Sequence, residues 1–388
     1  MQFLQSPISR IVALFAACST SIAAHAAPVY QAALLESLPG PYSAHAYAIS
    51  NAGVVGYFES YITGGSLPAY WSLDGAGKIL PVLSTPSVYS PIHYAYNINN
   101  EGMITGRSTT QLRNVHAYVT TPDGVIHDLG ALPVTTRGSD SNGQSVNVRG
   151  AVVGESETDA GLRAFMWTAD GGMRSLGTLP GGSWSSASDI NDAGAVVGSS
   201  ATANGRGAFL WTEQEGMLDL GELAGGLHSS TAEGINAAGQ VVGNSLTAAG
   251  WAPFIWTKAS GMKGLGTLGG TNGSFAQGIN ASGQVVGGSS LPGWGQTGAA
   301  FLWSELEGML NLNDLLLDAD PLKLSGLRLT YASDINDNGQ ILVTGLLNDR
   351  LVQAILTPVP EPSTLALALV GVLFLWARRT RGGGHITA

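Results

Sequence analysis

Chemistry in this chain would have to rest on histidines, carboxylates or exposed aromatic rings, because its one cysteine is Cys18. The histidines after the first 26 residues and before the final seven are His45, His93, His116, His127 and His228. They show none of the HxxxH or HExxH spacing that brings two imidazoles onto one metal. No G-x-S-x-G elbow and no nucleotide-binding glycine loop occurs. Two stretches read D-I-N-D-x-G, with Asp189 and Asp192 in one and Asp334 and Asp337 in the other. Carboxylates so spaced beside a glycine can hold Ca²⁺, but the full ligand run of an EF-hand loop is missing. Turn formation by aspartate is the competing reading, and no residue is assigned to a metal. Three tryptophans, Trp184, Trp251 and Trp294, stand outside any repeated pattern. Their flat apolar faces suit stacking on sugar rings, with Ser183, Ser185, Ser186, Ser289 and Ser290 nearby in sequence. The plainer alternative is packing of loops over sheet edges. No catalytic constellation emerges, and a non-enzymatic protein is expected.

These residues must be positioned by a repeated unit, seen most clearly in INAAGQVVG…PFIWT…GMKGLGTLGG from Ile235 to Gly270. Its corner recurs at Ile49, Ile98, Val146, Ile190, Ile235, Ile279 and Ile335, spaced by 49, 48, 44, 45, 44 and 56 residues. A fixed period of this size signals an array of supersecondary units. Each corner ends in glycine (Gly53, Gly102, Gly150, Gly194, Gly239, Gly283, Gly339). Glycine there supplies a positive φ, and the corner asparagine can bond its own turn. The first unit has Ser50 in place of that asparagine. The third places Val148 and Arg149 within the turn.

The third piece of each unit, such as AFLWT at Ala208, is apolar on both faces. A strand in an open sheet with one wet face would alternate apolar and polar residues. A strand greasy on both sides fits a sheet sandwiched between two neighbours, as in a propeller blade. On that reading Trp71, Trp167, Trp211, Trp256 and Trp303 are packing residues. The last unit lacks the fourth piece, and its equivalent stands at the N-terminal end as ALLESLPG from Ala33, which matches SLGTLPGG at Ser175. The expected fold is therefore all-β: a seven-bladed β-propeller with four strands per blade, closed by an N-terminal strand. Strand order then runs outward from the axis. The fourth-to-first and second-to-third connections share one face, where Trp184, Trp251 and Trp294 would lie. The long sixth unit carries an insertion around residues 318–327, expected as an outer loop.

Only 11% of residues are charged and 54 of 388 are glycine, a mixture of short apolar strands and turns rather than disorder. The net charge of −10 argues against nucleic acid as a partner. A folded part without cysteine must be held by packing alone.

Both ends carry address signals. Residues 1–26 have Arg10, an apolar run over 11–17 and Ala24-His25-Ala26, the layout of a signal peptide cleaved after Ala26. Leu14 to Cys18 also forms a poor copy of a lipoprotein box, with Phe15 where leucine is expected. The repeat segment then spans 27–357 and a sorting segment 358–388. In the latter, Pro360-Glu361-Pro362 precedes an apolar run over 365–377 and then Arg378, Arg379 and Arg381. Thirteen apolar residues are short for a permanent span, which needs about 20. The arginines supply a stop-transfer end on the cytoplasmic side.

The A-F-x-W-T, D-L-G-T-L and I-N-x-x-G-x-V-V-G pieces resemble the extracellular repeats of the HAF family, from about Ala46 to Thr357 and least well in the first two units. That resemblance implies secretion and a repeated β fold, and it carries over no catalytic residue. The tail resembles a PEP-CTERM sorting signal. It implies transient tethering in the inner membrane, processing by an exosortase, and a Gram-negative host that makes exopolysaccharide. A plain single-pass anchor is the alternative. The expected function is an exported cell-surface or extracellular-matrix protein, a binding or structural module associated with exopolysaccharide. The alternatives are a carbohydrate-active enzyme (polysaccharide lyase or hydrolase) on a propeller scaffold and a passive structural protein.

Overall fold

The computed structural model describes residues 27–360, apart from 41, 61–64, 85–91, 136–139, 270–272 and 291–297. The leader and the tail from Glu361 onward, with Pro362, the 365–377 run, Arg378, Arg379 and Arg381, lie outside the described residues.

Each repeat folds as an antiparallel meander. In the fifth unit the strands Gly226–Ile235, Val241–Thr247, Gly250–Thr257 and Gly261–Gly264 pair in sequence order. The same order holds in the other units, and the sheets of the fourth and fifth touch through one parallel bridge, Arg206 to Ser229. The last unit supplies Arg328–Ile335, Ile341–Leu347 and Arg350–Pro358, and the N-terminal strand Tyr30–Leu34 pairs antiparallel with the third of these. Tyr30 lies opposite Pro358 and Leu34 opposite Ala354.

A register shift recurs in every first strand. Its pairing with the second strand skips the residue two places before the corner: Tyr47, Tyr96, Gln144, Ser188, Glu233, Gln277 or Ser333. Such bulges bend a strand and re-aim one side chain. The glycine of V-V-G follows from this bend. At Gly243 a Cβ would sit 2.0 Å from the carbonyl oxygen of Thr231, and Gly56, Gly106, Gly154, Gly198 and Gly287 face the same close approach. The last unit has Val343 in this place and takes a second register shift between Leu329 and Tyr331.

The core is divided into layers between neighbouring sheets. Val153, Met166 and Leu176 of the third unit meet Ile190, Phe209 and Trp211 of the fourth. Leu342 and Ile355 of the last sheet pack against Ile49, Val54 and Trp71 of the first. Burial on both faces is what the apolar third strands require. Phe165, Phe209, Phe254 and Phe301 are wholly buried, and Trp71, Trp211, Trp256 and Trp303 nearly so. Trp167 is half-buried against the layer between the second and third units.

The insertion in the sixth unit is not a free outer loop. It forms a short helix, Pro321–Leu324, capped by Asp320, whose other carboxylate oxygen accepts from Ala32 N–H at 2.8 Å. Tyr30 N–H bonds Leu315 O and Tyr30 O accepts from Leu317 N–H, both at 2.8 Å. The extra residues thus clasp the N-terminal strand onto the last sheet, using contacts that no local sequence pattern announces.

Candidate functional site

First strands of successive sheets adjoin one another, and that of the last sheet adjoins that of the first. The corners converge around a polar cavity of about 190 Å³. Each corner asparagine serves two turns. Asn236 Oδ1 accepts from the N–H groups of Ala238 and Gln240 at 3.1 and 3.0 Å, while its Nδ2 donates to Asn280 O at 3.1 Å. The donation passes from Asn99 to Asn147, Asn191, Asn236, Asn280, Asn336 and finally Ser50. Ser50 has no amide to pass on. The gap is spanned by Asn51 N–H donating to Asn100 Oδ1 at 3.0 Å.

Just inside this ring lie the two D-I-N-D carboxylates. Asp189 accepts from Ser145 Oγ–H and from the N–H groups of Ile190 and Ile235. Asp334 accepts from the N–H groups of Ile49 and Ile335. Burial pushes Asp189 up to about 6 and Asp334 up to about 7, against the donors that favour the ionised forms. Asp192 and Asp337 accept from Val148 and Ala281 N–H on the neighbouring corner. All four carboxylates thus tie unit to unit, and no cluster of three metal-ligating side chains forms among the described residues.

Away from the ring, the residues two and four places before each corner stand at the free edge of the first strands and are at least partly exposed. In the fourth unit these are Ser188 and Ser186, and in the fifth Glu233 and Thr231. In the first two units they are Tyr47 with His45, and Tyr96 with Tyr94, and they build an aromatic wall. Tyr47 stacks on Tyr57 at 5.6 Å and leans on Tyr96 at 5.3 Å. His45 stacks on Tyr57 at 4.7 Å, whose ring meets Tyr94 edge-on at 4.5 Å. Arg107, opposite Tyr94 in the sheet, lies over Tyr94 and Tyr96 at 4.9 and 5.7 Å. Burial raises Tyr96 to about 12 and raises Tyr47 and Tyr57 as well, so these phenols stay protonated donors. Tyr47 is 40% exposed.

The sequence-derived candidates are placed differently. Trp184 precedes the strand Ser185–Ile190, with the Arg206 guanidinium 5.2 Å above its ring. Trp251 is not in a loop: the hairpin turns at Ala248 and Ala249, and Trp251 pairs with Leu246 inside the third strand. Its ring is 6.0 Å from Phe275 of the next unit. Both tryptophans stand at the end of their sheets opposite the asparagine ring, but no ring contact joins them among the described residues. Trp294 lies outside the described residues. Ser185 and Ser289 are buried and spent on backbone N–H groups, Ala164 and Leu268 respectively, so they cannot face a sugar. Of the histidines, His93 is buried against Ser108 and pushed down to about 4, and His116 pairs with Asp128.

The tyrosine wall escaped sequence reasoning because it lies in the two units that match the repeat least. The available signal was a run of rings at both places in two adjacent units, where the third to fifth units carry only polar residues and the sixth and seventh a single ring each, Phe275 and Tyr331.

Among solved structures, the fold resembles puromycin hydrolase at a TM-score of 0.51 and 15% identity, over 85% of this chain and 55% of that one. It also matches virginiamycin B lyase from Staphylococcus aureus at a TM-score of 0.49 and 13% identity, over 85% and 99% of the two chains. At such identities the likeness concerns fold alone. No curated protein matches the sequence. Residues 358–381 match the PEP-CTERM protein-sorting motif, which marks an exported protein that is sorted to the cell envelope and processed by an exosortase.

Proposed function

We propose that this protein is a cell-surface or matrix glycan-binding module, a closed propeller of seven four-stranded blades of HAF type that holds exopolysaccharide without cutting it. The supporting observation is the wall of Tyr47, Tyr57, Tyr94 and Tyr96 at the axial edge of the first two sheets. Clustered rings with protonated hydroxyls offer both the apolar faces and the donors that a sugar needs. The closed ring is supported by the pairing of Tyr30–Leu34 with Arg350–Pro358 and by the core shared between last and first sheets. Trp184, Trp251 and Trp294 are proposed as an outer rim on the same end of the channel. The leader over 1–26 is removed on export, and the 365–377 run with Arg378, Arg379 and Arg381 holds the chain in the inner membrane until the exosortase acts near Pro360, Glu361 and Pro362.

The test incubates purified protein with the host's exopolysaccharide and measures retention together with new chain ends. Retention without new ends, lost in Tyr47→Ala, is the expected result. New reducing or unsaturated ends would instead identify a polysaccharide hydrolase or lyase and overturn the proposal. No retention leaves a passive structural role and also overturns it.

A further inference from the structure

Arg107 is a guanidinium without a counter-charge. No carboxylate approaches it within ion-pair distance among the described residues, whereas Arg174, Lys258, Lys263 and Lys323 all have acidic partners. Its Nη1 makes one long bond, 3.4 Å, to Asn142 Oδ1. Its Nε is buried with no hydrogen-bond partner, an expensive arrangement for a polar atom. Glu155, in the neighbouring sheet, instead accepts from Asn142 Nδ2 at 3.0 Å. The Tyr94 and Tyr96 rings beneath Arg107 hold the charged group but satisfy none of its in-plane donors. A planar fork of unspent donors is the form that carboxylates bind in bidentate fashion.

Resting on the glycan reading, we infer that the channel is built for an anionic sugar, a uronic acid residue whose carboxylate takes the Arg107 guanidinium while its ring stacks on the tyrosine wall. Exposed Tyr47, which touches both Tyr57 and Tyr96, provides the stacking face beside that guanidinium. Arg107 also lies close enough for its charge to act on the Tyr47 and Tyr96 phenols, which places their hydroxyls within the same field. The preference follows from charge: a neutral sugar's hydroxyls can accept from the exposed guanidinium nitrogens but bring no counter-charge, and a carboxylate brings both.

The experiment measures binding of tetragalacturonate and of its carboxyl-reduced, neutral counterpart to the full-length chain in mild detergent, with retention of the host's exopolysaccharide in parallel. Wild type is expected to prefer the acidic tetramer at least tenfold, and Arg107→Gln to lose that preference while holding the neutral tetramer as before. Asn142→Asp provides a second variant. It keeps the arginine but supplies an internal carboxylate, and is likewise expected to abolish the preference. Equal binding of the two tetramers, or a preference that survives both substitutions, overturns the inference while retention of exopolysaccharide keeps the glycan reading intact. Failure to hold either tetramer or the host polymer overturns both.

Discussion

The asparagine ring offers the sharpest test of how one unit is fastened to the next. Asn236 is buried and makes two turn bonds through Oδ1, and its Nδ2 donates to Asn280 O and to Gln240 Oε1. A net intramolecular hydrogen bond is worth about 1 kcal/mol, and a buried partner left unsatisfied costs about 1–3 kcal/mol. Asn236→Ala strips all four bonds and orphans two turn N–H groups, so a loss of about 3–4 kcal/mol is expected. Asn236→Ser copies the native first unit, where Ser50 Oγ still accepts from Ala52 N–H at 3.0 Å. It keeps part of the turn and loses the link to Asn280, at about 2 kcal/mol. The reverse change, Ser50→Asn, supplies the one amide missing from the ring and should gain about 1 kcal/mol by donating to Asn99 O. The assay is equilibrium unfolding in urea, followed by tryptophan fluorescence, with the three variants and wild type side by side. A loss below about 1 kcal/mol for Asn236→Ala would refute the view that these asparagines fasten the units. So would a destabilised Ser50→Asn.

Three other outcomes follow from the same structure. Gly243→Ala should abolish folding, because its Cβ would lie 2.0 Å from Thr231 O. Gly239→Ala, strained only by its φ of +75° with open space around it, should cost about 1 kcal/mol, and the contrast reads directly in circular dichroism and soluble yield. Asp334 binds its proton more tightly folded than unfolded, so it favours the folded state at low pH and that advantage is lost as pH rises from about 4 to about 7. The stability of Asp334→Asn relative to wild type should therefore rise across that window in urea titrations. His93, pushed down to about 4 by burial, works in the opposite direction between about 4 and 6.5 and should leave this difference unchanged. Asp320→Ala removes the bond to Ala32 N–H and the helix cap together, and hydrogen exchange should show faster exchange for the amides of Tyr30–Leu34 than for any other strand.

Much of the architecture could be read from residue types because each unit restates the same local chemistry. The corner glycines, the two-faced apolar third strands and the matching leftover around Ala33 all pointed to four-stranded units paired at the chain's ends. What could not be read was anything that depends on register. Alternation with period two hides the bulge at Tyr47, Tyr96 and their counterparts, although the glycine of V-V-G is its footprint. Residue types put Trp251 in the second-to-third connection, since Ala248 and Ala249 carry no turn signature, yet the hairpin closes there with Gly250 at a φ of +106°. The clasp of Asp320 on Ala32 joins residues 288 apart, a contact that only the folded chain defines.

The N-terminal latch also sets an order of events during export. Tyr30 stands among the first residues of the folded segment, and its partner Pro358 among the last. A chain threaded N-terminus first must keep Tyr30–Leu34 without its ladder while every intervening sheet is made, and pairing across such a separation is slow. An unpaired apolar strand is an invitation to the wrong neighbour. Val359 N–H bonds Val29 O, so the latch holds Val29 against the start of the sorting motif matched over 358–381. Sorting therefore acts on a chain end that the first strand already holds, so envelope processing and first-to-last pairing involve the same few residues.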